Sequence, residues 1–472
     1  MKENSFILKL YAIISFVICG FCIMSLGEIP SYYHLLPILP FVMFVMSLIT
    51  SIQIGNMKLN IPALLMFSVT LVRYCIIPFL MIIGGQHTVM KINIASNANS
   101  AIFLMSYECV AIYIAIIIAF KKEYNRTITF QQVYTATGVS KYVIFMTLYC
   151  IVMLVTSPIL LDNYMTIFDL NKEEFTHAGR LEEVSVGSIV RVLRTLYSVM
   201  FNMVRIMMPV YIIGNCSKRI KSDFTMLFIV FFFVFIQFLM ITATFAESII
   251  SALVILLAVS KLRKSLGQKI VRFAPYAVIG IIVVYFTVRY QVSQTTNISS
   301  MYSGNNIQEY ICATVNAYFT GIDNVAASFN LPKYEIVQHF MASMQITIPF
   351  NTTLFGKAGE GLPTLYNSFN SIKGQIPATI GNGYYYFGPI LAPLFSFCFA
   401  YFGIKYGIKA VNTPSYWKYI CYCFIAIVFA LGLGMYNEVI ALGWINGWGI
   451  PMLLVVFLSE KHKSKMRCHE VN

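Results

Sequence analysis

The feature that most constrains this chain is a succession of apolar runs, each roughly 18 to 25 residues long, recurring along almost its whole length. A run of that size, wound as a helix, matches the hydrocarbon core of a bilayer, which is about 30 Å thick. Such runs fall at about 5–26, 35–54, 59–84, 101–120, 141–161, 188–214, 224–242, 244–260, 270–289, 384–404, 416–435 and 438–458. Each is expected to be a spanning helix. Composition agrees: only 11% of the 472 residues are charged, against about a quarter in a soluble domain. The expected fold class is an all-α polytopic membrane protein with about twelve transmembrane helices.

The net charge of +14 raises nucleic acid as a partner. The lysines and arginines, however, sit in short clusters between the apolar runs rather than in a basic domain or arm, so no nucleic acid is expected. Their placement reads as topology. With the N-terminus in the cytoplasm, the inner segments hold "KKEYNR" (121–126), "SKRIK" (217–221), "KLRKSLGQK" (261–269), Lys405, Lys409, Lys418 and "KHKSKMR" (461–467). An error of one helix would put at least one strong cluster outside, so both termini are expected to be cytoplasmic. The first run is about 20 residues long and lacks a convincing cleavage site, which makes it a retained helix. Most of the eleven cysteines lie inside apolar runs, and neither a disulfide framework nor a metal site is indicated.

Three regions follow: helices one to nine over 1–289, with a smaller outer loop at 162–187; a large outer loop over 290–383; and helices ten to twelve with a basic tail over 384–472. A loop as long as 290–383 is usually functional. "NNIQEYICATVNAYF" and "KYEIVQHFMASM" have helical apolar spacing, so short amphipathic helices on the membrane surface are expected there.

The sixth run carries three arginines. At 100° per residue Arg191, Arg194, Ser198, Asn202 and Arg205 fall within about 80° of one another, forming one polar stripe. Three fully buried arginines cost roughly 9 kcal/mol on insertion scales, so relief is required. Arg191 and Arg194 lie near the outer end and can snorkel, and Arg205 can reach toward the inner surface. Alternatively the shared face lines an outward cavity holding an anion. Arg73, in the third run, and Glu108, in the fourth, lie at similar depth and suit a buried ion pair, structural or functional. Glu247 reads as interfacial.

An outward arginine cluster suits phosphate or pyrophosphate, which guanidinium matches bidentately. Tyr318 and the run Tyr384 to Tyr386 offer aromatic faces for sugars, or an ordinary interfacial belt. No nucleotide-binding or acyl-transfer motif stands where it could work. Energy for any synthesis must then come with an activated, lipid-borne substrate, and no cofactor is expected.

The chain resembles the Wzy-type polymerases of bacterial O-antigen and capsule assembly. The likeness rests on its topology and on "LVRYCIIP", the arginine-bearing sixth helix after "HAGRLEE", "AYFTGIDNVAASF" (317–329) and "IPATIGNGYYYFGPILAP". The resemblance implies an inner-membrane enzyme that moves a growing glycan from undecaprenyl pyrophosphate onto the next lipid-linked repeat unit. Membrane lipid, a flippase and a chain-length regulator would be its partners. Two outer arginines depart from an Arg-x10-Gly pattern of the family: Arg191 stands eleven residues after Arg180, and Ser300 eleven after Arg289. On this reading Arg191 and Arg194, helped by Arg73, Arg180, Arg205 and Arg289, hold the pyrophosphate. His339 or Asp323 is the base, although Glu335 and His339 also read as a solvated pair one turn apart and Asp323 as a helix cap. A flippase for the same lipid-linked glycan, and an O-antigen ligase, are the alternatives.

Overall fold

A computed structural model describes residues 2–55, 57, 60–84, 94–124, 139–157, 160, 188–239, 245–263, 265–270, 287, 306–355, 359–370 and 375–469. No strand occurs among them. The membrane helices of the first half are α1 (Lys2–Met24), α2 (Ile38–Ile54), α3 (Ile61–Leu71), α4 (Ile77–Gly84), α5 (Ala98–Tyr124), α6 (Val139–Thr156), α7 (Ser188–Arg219), α8 (Asp223–Leu239) and α9 (Phe245–Leu262). A single π turn, Val72–Ile76, joins α3 to α4, making one continuous span from Ile61 to Gly84. Among the described residues eight helices are long and apolar enough to cross a bilayer, and Asp223–Phe238 and Tyr416–Leu431 are shorter apolar ones. The protein is a polytopic helical membrane protein. The expected ninth span, 270–289, and the smaller outer loop at 162–187 lie outside the described residues.

The segment expected as the large outer loop is helical over the stretches its apolar spacing marked, and the long helix after it starts later than expected. It forms α10 (Ile307–Tyr318), α11 (Ile322–Ser328), α12 (Ile336–Ile346), α13 (Asn351–Phe355), α14 (Leu362–Phe369) and α15 (Thr379–Leu391). The amphipathic helices were expected to lie on the membrane surface. Both form, as α10 and α12; between them every residue of α11 is buried, and that helix packs against α5 and α15, while α10 packs on α4. Contact is close enough that a Cβ on Gly84 would come within 2.9 Å of the Cys312 Cβ.

The tenth span also starts later than expected. Apolar residues run without a break from Tyr384 into "FGPILAP", so hydropathy alone sees one helix there. Gly388, at φ 75°, and Pro389 kink the chain inside α15. The spanning helix is α16, Leu394–Asn412.

The last third supplies the centre of the bundle. In α17 (Tyr416–Leu431) all positions but the half-buried Lys418 and Tyr422 are buried. A helix apolar on every side belongs inside a bundle, and α17 packs against α3, α9 and α16. After a non-helical stretch the chain resumes as α18 (Glu438–Trp444), a π turn at Ile445–Gly449, and α19 (Ile450–His469).

Candidate functional site

The stretch Gly432–Asn437 between α17 and α18 organises the site. Irregular backbone at membrane depth is tolerated only where protein satisfies its polar groups, and here side chains from three other segments do so. Arg73 Nη1 donates to the Leu433 carbonyl at 2.6 Å. The Thr320 hydroxyl donates to the Gly434 carbonyl at 2.8 Å. The Thr379 hydroxyl lies 3.3 Å from the Gly432 carbonyl and 3.0 Å from that of Tyr436. Thr320 reaches its partner from a backbone at φ 41°, a strained region for a β-branched residue. Gly432 and Gly434 fit because a Cβ on either would meet Phe399 or Val69 at under 3 Å.

Arg73 sits in the π turn, fully buried, and its second partner is Glu108. Nη1 and Nη2 lie 3.2 Å and 3.0 Å from the two carboxylate oxygens. The same carboxylate accepts hydrogen bonds from the Tyr74 hydroxyl at 2.9 Å and the Ser396 hydroxyl at 2.5 Å. The expected pair is therefore present, and it ties α5 and α16 to the break.

The arginine stripe of α7 does not act as one cluster. One reading had Arg205 reaching the inner surface, the other had it beside the lipid-linked substrate. It is buried instead, with Nη1 3.4 Å from Glu247, Nη2 3.3 Å from the Ser248 hydroxyl and Nε 3.4 Å from the Gln237 side-chain oxygen. Glu247 is thus a buried partner rather than an interfacial acid. The reason is packing: α8 and α9 both lie against α7 and bring acceptors to Arg205, which saves it the cost of an unpaired buried charge. Arg191 and Arg194 remain half-buried, with no ion pair among the described residues; Arg194 Nε is buried without a hydrogen-bond partner. Two charges of the predicted cation set, Arg73 and Arg205, are neutralised by different acids, and two are not. Arg180 and Arg289 lie outside the described residues.

The three helices α12, α15 and α18 meet beside the break. His339, on α12, is 4% exposed and does not pair with Glu335 in solvent as one reading expected. Its Nδ1 lies 2.8 Å from the Glu360 carbonyl; a carbonyl only accepts, so Nδ1 carries a proton, and in the neutral ring the lone pair is on Nε2. Nε2 is buried with no partner, and the Tyr334 and Tyr385 rings stand edge-on at 5.3 Å and 6.2 Å. One turn on, Ser343 accepts from the Tyr386 hydroxyl at 2.9 Å. Burial, with a smaller push from the Glu438 carboxylate, raises the Tyr386 phenol well above its ordinary value, so it donates as a neutral hydroxyl.

Asp323 lies in the first turn of α11, whose N-cap is Gly321, so Asp323 is not the cap. It is 1% exposed and accepts from the Tyr33 hydroxyl at 2.6 Å and from Asn316 Nδ2 at 3.4 Å. The first bond fastens α11 to the turn before α2 and the second to α10. Tyr318 is half-buried at the end of α10. Tyr384 packs on Phe329 at 4.4 Å and takes the Lys333 ammonium 4.1 Å over its ring.

Two residues of this region were not singled out from the sequence. Glu438, fully buried at the start of α18, accepts from Asn382 Nδ2 at 2.8 Å and 3.0 Å. The signal was present: an acid opening an apolar run directly after two glycines and an asparagine, and an acid within a membrane segment is by default a candidate functional group. No family model, curated protein or solved structure matches the chain.

Proposed function

We propose that this protein joins lipid-linked oligosaccharide repeat units into a longer glycan at the outer side of a bacterial cytoplasmic membrane, with a polyprenyl pyrophosphate such as undecaprenyl pyrophosphate as leaving group. In this reading twelve helices cross the bilayer with both termini inside. The helices from α10 to α15, the break before α18 and the start of α7 then face outward. The acceptor hydroxyl attacks the anomeric carbon of the donor sugar. The bond from that carbon to the phosphate oxygen breaks, and its electron pair leaves with the pyrophosphate.

The observation that carries the reading is the imidazole of His339. Its Nδ1 bond to the Glu360 carbonyl presets the tautomer in which Nε2 can take a proton, and no described group occupies that lone pair. A neutral, oriented imidazole is what proton removal from a sugar hydroxyl calls for. Arg191 and Arg194, the cations of the stripe left without an acid partner among the described residues, supply the charge that meets the departing pyrophosphate.

The test is the surface glycan of a deletion strain complemented with variants. Wild type restores a ladder on a gel. His339→Ala and the double variant Arg191→Ala/Arg194→Ala, both inserted in the membrane, are expected to leave surface lipid carrying a single repeat unit. A full ladder from either overturns that residue's role, and a normal ladder in the deletion strain itself overturns the function. A transporter of the same lipid-linked glycan is the second reading, favoured by the broken helix around Glu438, since discontinuous helices build midplane sites in transporters. Its loss would remove surface glycan altogether.

A further inference from the structure

We infer that Glu438 and Asn382 are protein ligands of a monovalent alkali cation held at the break between α17 and α18. The ion would sit at the break itself, on residues other than His339, Arg191 and Arg194, and the inference does not rest on glycan transfer.

Glu438 is a buried acid without a cationic partner among the described residues. Glu108 and Glu247, also buried, each face a guanidinium, Arg73 and Arg205. Glu438 is equally buried, yet its side-chain partner is a neutral amide, and no basic side chain among the described residues is within ion-pairing distance. An ionised carboxylate in such a place costs several kcal/mol unless a positive charge accompanies it.

The surrounding atoms suit a small hard cation. Asn382 is itself fully buried, and its Oδ1 has no hydrogen-bond partner. Both of its contacts to Glu438 run through Nδ2. Rotating the amide half a turn about χ2 exchanges the two atoms and sets the oxygen beside the carboxylate, turning a donor facing an anion into an all-oxygen pair of ligands. The break follows the C-terminus of α17, and a helix C-terminus favours positive charge. Thr379 and Asn382, three residues apart on α15, present one face to this stretch: Thr379 fixes its backbone and Asn382 meets its acid.

The donor set also selects the class of ion. Oxygen ligands favour alkali and alkaline-earth ions over soft metals. Among the described residues no group of three His, Cys, Asp or Glu comes together, and a single carboxylate balances a single positive charge.

The protein carries its own reporter. Trp444 follows Glu438 on α18 and stacks edge-on to Tyr436 of the break at 4.7 Å. The full-length protein in detergent is titrated with sodium chloride against choline chloride at constant ionic strength, reading tryptophan emission and thermal midpoint. Sodium is expected to shift both saturably. Glu438→Gln should abolish the response, and Asn382→Ala should raise the half-saturating sodium concentration at least tenfold. Equal behaviour in sodium and choline overturns the site, as does a sodium response retained by Glu438→Gln. Should Glu438→Gln not purify in folded form, an unchanged half-saturation in Asn382→Ala overturns it. No glycan enters the measurement, so its failure leaves the transfer reading standing, and the reverse holds as well.

Discussion

Single residues here divide into charges that hold the bundle together and groups left available. Arg73 belongs to the first kind, since it spends its donors on Glu108 and on the Leu433 carbonyl. Removing the acid alone strands a buried guanidinium, at a cost of about 3–5 kcal/mol. Glu108→Ala is therefore expected to lose most of its inserted, folded yield and to melt well below wild type. Replacing both, as Arg73→Met with Glu108→Leu, should recover much of that loss. Recovery stays incomplete because the Leu433 carbonyl loses its donor, worth about 1–3 kcal/mol when buried. A wild-type melting temperature for Glu108→Ala would show that the pair carries no stability. The pair itself was legible in the sequence because two opposite charges at equal depth in adjacent apolar helices have few other ways to coexist with lipid. The second pair was not: the sequence sets Arg205 and Glu247 on the same helical faces as other polar residues, and only the packing of α8 and α9 on α7 shows that they meet.

Elements show where pattern reading stops. The apolar period located nearly every described spanning helix to within a few residues, because the length of such a helix is imposed by the bilayer. It could not place the start of α16, because a helix packed in protein and a lipid-facing one can be equally apolar. The distinction lies in local backbone: a positive φ at Gly388 followed by proline, and two glycines at the end of α17. The break depends on hydroxyl donors in the same way. Thr379→Val keeps shape but leaves the carbonyls of Gly432 and Tyr436 without their side-chain donor. It is expected to lose about 1–3 kcal/mol, seen as a lowered thermal midpoint, whereas Thr379→Ser stays close to wild type. Equal midpoints for the valine and serine variants would show that the break holds without the hydroxyl.

For the whole molecule, sidedness can be checked directly. Lys333, beside the Tyr384 ring, and Lys121, at the end of α5, are both solvent-exposed. With the termini inside, Lys333→Cys should react with a membrane-impermeant maleimide on intact spheroplasts, and Lys121→Cys only after permeabilisation, each above the background of the native cysteines. The opposite pattern would invert the molecule and move the His339 region to the cytoplasmic side.

The enclosure of α17 bears on biogenesis. Translation delivers this helix long after α3 and α9, which flank it, have left the ribosome. Until residue 416 emerges, the early helices surround a vacancy that only lipid or a membrane chaperone can fill. Nascent chains stalled short of that point should be prey to quality-control proteases, so this late-made helix acts as the keystone of assembly.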